Sequence, residues 1–203
     1  MEAAKAPSQW NVPNVLTGVR MLLVPVFAWM LLSHPHELDW RLATTAVFCI
    51  AIATDFVDGH IARKYNMVTN FGKLWDPIAD KALTGMAFIG LSILGELQWW
   101  VTSIILVREW GITILRWVIM KYGVMAANRG GKLKTLVQSF ALIGYLLWLP
   151  KMPEPLQWLS WVLMAVAFVL TVVTGLDYLR EAAKMRREAQ ARWAAEGHPG
   201  RPA

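Results

Sequence analysis

Long apolar runs broken by short polar stretches organise this chain. Runs at 15–32, 42–61, 74–97, 99–120, 133–149 and 156–176 are rich in Leu, Val, Ile, Ala, Met and Trp, and most polar residues gather between them. About 20 apolar residues in a helix cross the hydrocarbon core of a bilayer. The pattern therefore predicts an all-α integral membrane protein with six transmembrane helices. Residues 1–13 are polar and end at Trp10 and Pro13, which predicts a tail and a short interfacial segment. The stretch 33–40, with His34, Pro35 and His36, reads as a polar turn whose histidines face solvent. A polar link at 64–73, a tight turn at 95–98, a basic loop from 121 and the Pro-rich 150–155 separate the later runs. Pro77 lacks an N–H to donate, so it fits near the start of the third helix. Beyond Asp177, charged residues alternate with Ala. The sixth helix is therefore expected to run on into water and fray at Gly197. The domain reading is a tail (1–13), a six-helix domain (14–179) and a basic helix and tail (180–203), with no internal repeat.

The composition agrees, with 56% hydrophobic residues and 12 Trp in 203 residues. The single Cys49, inside an apolar run, allows no internal disulfide and reads as a packing residue. The first ten residues lack the basic-then-apolar pattern of a cleaved leader, so no signal peptide is expected. Charge sets the orientation. Fourteen of the 20 Lys and Arg fall on the side of the termini, the opposite side holds only Arg41 and Lys151, and Arg20, Lys81, Arg108 and Arg116 lie within the runs. Positive residues stay cytoplasmic, so both termini are expected in the cytoplasm of a multi-pass cell-membrane protein. Trp40, Trp99, Trp100, Trp148 and Trp158 cluster toward the other face, as an aromatic belt would. The basic balance thus reflects topology and anionic membrane lipids, and no nucleic-acid motif accompanies it.

Against this background the stretch from Asp55 to Asp80 stands out. Asp55 and Asp58 share a helix face, continued by Gly59 and Ala62, while Gly72, Asp76 and Asp80 share a face of the next helix. Two helices meeting along these stripes bring four carboxylates together. Such a group repels itself unless cations sit between, and hard divalent cations prefer oxygen ligands. Gly59, Ala62 and Gly72 would leave that volume open. The pattern reads as a two-metal site for phosphate chemistry. Helix caps or structural ion pairs are the plainer alternative. An Asp in a membrane span costs about 3 kcal/mol, however, which weighs against four without function.

The spacing D-x2-D-G-x2-A-R-x8-G-x3-D-x3-D, carried by Asp55, Asp58, Gly59, Ala62, Arg63, Gly72, Asp76 and Asp80, resembles the signature of the CDP-alcohol phosphotransferase family. The resemblance implies attack by an alcohol on the β-phosphate of a CDP-linked lipid, releasing CMP. It implies Mg²⁺ or Mn²⁺, two ions, on Asp55, Asp58, Asp76 and Asp80, with Asp80 also the general base. Gly59, Ala62, Arg63 and Gly72 would lie along the CDP-lipid, Arg63 near its phosphates, and a homodimer is common among such proteins. Arg63 also suits an interfacial, snorkelling role. The segment N-V-P-N-V-L-T-G-V-R resembles the amino end of phosphatidylglycerophosphate synthases and of the related cardiolipin synthases, while R-E-W-G-I-T-I-L-R-W, G-G-K-L-K-T-L-V-Q and T-G-L-D-Y-L-R resemble the phosphatidylglycerophosphate synthase branch. That branch joins CDP-diacylglycerol to glycerol 3-phosphate. An anionic acceptor needs fixed cations, and Arg108, Lys132, Lys134 and Arg180 are the candidates. Arg108 could instead pair with Glu109, Lys134 could mark the interface, and Lys81 could join helices. Sister enzymes making phosphatidylinositol phosphate or cardiolipin are the near alternatives. A membrane prenyltransferase would lack the D-G-x2-A-R continuation, and a transporter or scaffold would not need both glycines and the arginine at these spacings.

Overall fold

The computed structural model describes residues 12–64, 70–119 and 129–195, with side chains apart from those at 12–13, 56–64, 70–74, 76–77, 129–130, 132 and 192–195. Within them the chain forms six helices and one 3₁₀ turn. These are α1 (Val12–Ser33), α2 (Leu38–Lys64), α3 (Asn70–Ile93), α4 (Trp99–Ile119), α5 (Arg129–Leu146), the turn Leu149–Lys151, and α6 (Glu154–Ala195). Helix α1 packs on α2 and α3, α5 on α6, and α4 bridges α3 and α6. Arg20 in the first half of α1 pairs with Asp55 in the second half of α2, and Arg41 near the start of α2 pairs with Glu96 just beyond the end of α3, so α1, α2 and α3 alternate in direction.

Each helix boundary has a local cause. Gly95 adopts φ +74, the left-handed conformation that closes α3. The Gly95 N–H then donates to Ser92 O at 3.1 Å and the Glu96 N–H to Leu91 O at 2.9 Å, satisfying two carbonyls of the last turn. Trp148, at φ 66, makes the corresponding break before the 3₁₀ turn. Helix α3 starts at Asn70, four residues before the apolar run, so Pro77 falls two turns inside it. The missing Pro77 N–H leaves the Lys73 carbonyl without its intrahelical bond. The 42 residues of α6 form one helix about 63 Å long, which carries the expected extension past the apolar run.

Among the described residues two helices are long and apolar enough to cross a membrane, in the segments Asn14–Ser33 and Glu154–Ala191, with a shorter apolar helix at Leu133–Leu146. Only 22% and 33% of the two apolar windows is buried within the protein. A core helix of a soluble protein would be mostly covered. Here Leu22, Ile50, Val107, Leu136 and Val169 face outward instead, which suits a lipid surround.

The bundle is divided along its axis. One half is a dry core of Phe27, Leu31, Phe48, Leu83, Phe88, Leu91, Ile105, Leu142 and Leu146. Close packing here relies on small residues. A Cβ on Gly144 of α5 would stand 2.8 Å from Ser160 Cβ of α6, and one on Gly90 would meet Leu31 Cδ2 at 2.5 Å. The other half, where α2 ends and α3 begins, buries Asn14, Thr17, Arg20, Lys134, Gln138, Thr171, Thr174 and Tyr178. Two details at the opposite end come from the packing. Arg41, near the start of α2, is buried, donating from Nη2 to Glu96 Oε2 at 2.5 Å and to the Tyr145 carbonyl at 3.1 Å. His34 does not simply face solvent. Its ring stacks on Trp40, centroids 4.3 Å apart, with Trp29 edge-on to both.

Candidate active site

The polar half is built first by α1 against α2. Arg20 sits on the α1 stripe shared with Thr17, and an arginine in an apolar helix needs a carboxylate partner. Its Nη1 donates to Asp55 Oδ1 at 2.5 Å. The arginine is 2% exposed and the aspartate 38%, so the carboxylate opens outward from a buried cation. Asp58, Gly59, Ala62 and Arg63 follow in the last turns of α2, and Gly72 and Asp76 lie in the first turns of α3. Their side chains lie outside the described residues. Asp80 follows in α3, half-buried, and its carbonyl accepts from Thr84 Oγ1 at 3.0 Å. Among the described residues no three His, Cys, Asp or Glu side chains gather as a metal group.

A second cluster centres on Glu109 of α4. Its Oε1 accepts from Arg108 Nη1 at 2.9 Å and from Lys134 Nζ of α5. Its main-chain carbonyl accepts from Lys81 Nζ of α3 at 3.0 Å and from Thr113 Oγ1 at 2.9 Å. Arg108 also donates from Nη2 to Thr174 Oγ1 of α6 at 2.6 Å. The buried ring of Tyr178, one turn further along α6, carries the Arg108 guanidinium at 5.9 Å and that of Arg116 at 4.9 Å. Arg116 Nη2 also donates to the Tyr178 hydroxyl at 2.6 Å. Gly175 lets Arg108 lie flat on α6, since a Cβ there would stand 3.1 Å from Arg108 Cγ. Three helices thus bring Arg108 and Lys134 to the carboxylate of Glu109 and Lys81 to its main-chain carbonyl.

Of the four cations considered for an acceptor phosphate, Arg108 and Lys134 meet at Glu109. Lys132 lies in α5, with its side chain outside the described residues. Arg180 is 80% exposed and 3.9 Å from Asp177 on the outer face of α6, apart from the cluster. The plainer readings also have support, because Arg108 does pair with Glu109 and Lys81 does join α3 to α4. Sequence reasoning assigned no role to Arg20, Arg116 or Tyr178, and to Glu109 only that of a partner for Arg108. For Arg20 a signal existed: a cation inside an apolar run demands a carboxylate at the same depth, and Asp55 was the nearest in kind.

Known proteins decide what this pairing of an aspartate-bearing helix junction with a basic cluster belongs to. The sequence profile of the family described as CDP-alcohol phosphatidyltransferase matches residues 10–173. The chain belongs to that family. Similar proteins include a probable phosphatidylglycerophosphate synthase of Mycobacterium tuberculosis, 47% identical over 85% of this chain and 81% of its own length. A CDP-diacylglycerol–glycerol-3-phosphate 3-phosphatidyltransferase of Bacillus subtilis is 38% identical over 83% of this chain and 93% of its own. One of the same description from Shigella flexneri is 37% identical over 86% and 96%. Membrane association of this phosphatidyltransferase family member agrees with the outward-facing apolar helices. Divalent metals suit its donor set, since the signature aspartates offer only hard oxygen donors.

Proposed function

We propose that the protein transfers the phosphatidyl group of CDP-diacylglycerol to sn-glycerol 3-phosphate, giving phosphatidylglycerophosphate and CMP. The observation that carries the acceptor is the meeting of Arg108, Lys134 and Lys81 in the same half of the bundle as Asp55 and Asp80. A small anionic alcohol held there by its phosphate would have its hydroxyl directed toward the aspartates.

In this reading Asp80 takes the proton of the acceptor hydroxyl. The hydroxyl oxygen then forms its bond to the β-phosphorus, and the bond from that phosphorus to the oxygen bridging to the CMP phosphate breaks. CMP leaves with that oxygen. Asp55, Asp58, Asp76 and Asp80 would hold Mg²⁺ or Mn²⁺, in two positions. When bound, the cations neutralise the diphosphate and the charge that builds on the leaving phosphate. Arg20 fixes the Asp55 carboxylate from beneath. Gly59, Ala62 and Gly72 leave room for the nucleotide to approach α2 and α3, with Arg63 beside its phosphates. Arg108 and Lys134 bind the acceptor phosphate, aided by Lys132, while Arg180 on the outer face would have to reach inward to join them.

The same proposal includes six membrane spans with both termini and the site in the cytoplasm, supported by the distribution of Lys and Arg and by the outward aliphatic faces. It also includes a homodimer, on the family resemblance, to be read from the mass of the detergent-solubilised protein by light scattering.

The test is CMP release from CDP-diacylglycerol with acceptors supplied singly. Glycerol 3-phosphate should support turnover, and glycerol, which lacks the phosphate, should not. Turnover with inositol 1-phosphate or phosphatidylglycerol and none with glycerol 3-phosphate would place the chain in a sister branch.

A further inference from the structure

We infer that Glu109 is a positioning residue of the acceptor site, its carboxylate holding Arg108 and Lys134 as a preformed cradle for the acceptor's phosphate. The inference rests on the reading that those two cations grip that phosphate. A phosphate site needs cations, and a carboxylate at its centre would at first weaken it. The geometry explains its presence. Arg108 and Lys134 lie on different helices, α4 and α5, and both side chains are largely buried. Two cations this close repel each other, and each long side chain has rotamers to lose. One oxygen, Glu109 Oε1, accepts from both and fixes their separation. Among the described residues that oxygen is the hydrogen-bond partner of Lys134 Nζ.

The other contacts set the frame around this pair. Arg108 is held on its far side by Thr174 and by the Tyr178 ring, which leaves Glu109 as its link toward α5. Lys81, next in sequence to Asp80, donates to the Glu109 carbonyl. That bond ties the α3 backbone beside the proposed base to the α4 backbone beside the cradle, so the span between them is set by the fold.

The experiment measures steady-state kinetics of the full-length enzyme in detergent–lipid micelles for Glu109→Ala, Glu109→Gln, Arg108→Gln and Lys134→Gln, with thermal unfolding of each. Glu109→Ala should raise KM for glycerol 3-phosphate about 10-fold or more, with KM for CDP-diacylglycerol within about twofold of the parent. Glu109→Gln keeps an acceptor oxygen in place and should recover most of that loss. A purely structural ion pair would instead lower the unfolding midpoint and weaken both substrates in parallel, and that result overturns the inference. So does an unchanged KM for glycerol 3-phosphate in both Glu109 variants while Arg108→Gln and Lys134→Gln raise it. If the two cation variants leave that KM unchanged, the acceptor reading itself fails, and the inference with it.

Discussion

Arg20 of α1 and Asp55 of α2, 35 residues apart, meet at 2.5 Å, the guanidinium sealed in the bundle and the carboxylate facing out of it. The pair joins the first helix to the first aspartate of the signature. It supplies a fixed positive charge beside the proposed metal site.

That pairing predicts a measurable coupling. With metal removed by chelator, Arg20→Gln should destabilise the detergent-solubilised protein by about 1–3 kcal/mol, because a buried charged contact is lost. The figure belongs at the lower end, since Asp55 is partly exposed and regains water. Asp55→Asn added to Arg20→Gln should cost little more. A double-mutant cycle by chemical unfolding that gives additive effects within about 0.5 kcal/mol would show that the two do not depend on each other.

The four aspartates should divide by role. Asp55→Asn, Asp58→Asn and Asp76→Asn each remove a charged ligand, so metal affinity and turnover should fall together. Asp80→Asn should cost turnover about 10²- to 10⁴-fold while CDP-lipid affinity largely survives. Isothermal titration with Mn²⁺ and with a CDP-lipid, beside rate measurements, separates the two patterns. Near-normal turnover of Asp80→Asn at saturating metal would remove Asp80 from the role of base.

Gly175 offers a change that separates stability from binding. A Cβ there would press Arg108 Cγ from 3.1 Å and Nε from 3.5 Å, and the flexible side chain can yield. Alanine is the better helix former by about 1 kcal/mol. Gly175→Ala should therefore unfold no earlier than the parent, yet displace Arg108 enough to raise KM for glycerol 3-phosphate several-fold. An unchanged KM would mean that the position of Arg108 does not matter to the acceptor.

Orientation is open to chemical labelling. In a Cys49→Ala background, Ser33→Cys should react with an impermeant thiol reagent added to intact cells, and Asn128→Cys should react only after the membrane is opened. The reverse order would invert the topology.

The sequence by itself determined what depends on near neighbours. Apolar runs became helices, Gly95 ended α3 because a left-handed residue suits glycine, and the sixth helix continued past its apolar part. Spacing of three and four placed Asp55 with Asp58, and Asp76 with Asp80, on shared helix faces, because the helical repeat is local. The family was likewise legible, since its signature lies within 26 consecutive residues. Tertiary structure decided which charges meet. Arg20 with Asp55, Lys134 with Glu109, and Arg41 with Glu96 are separated by 35, 25 and 55 residues. Each pair depends on how far one helix is turned about its axis against another. That rotation is set by contacts such as Gly144 on Ser160 and Gly90 on Leu31. It turns Tyr178 inward to Arg108 and Arg116 and leaves Arg180, two residues on, at the surface. Periodicity fixes relative positions within a helix, and only packing against its neighbours fixes which face looks inward.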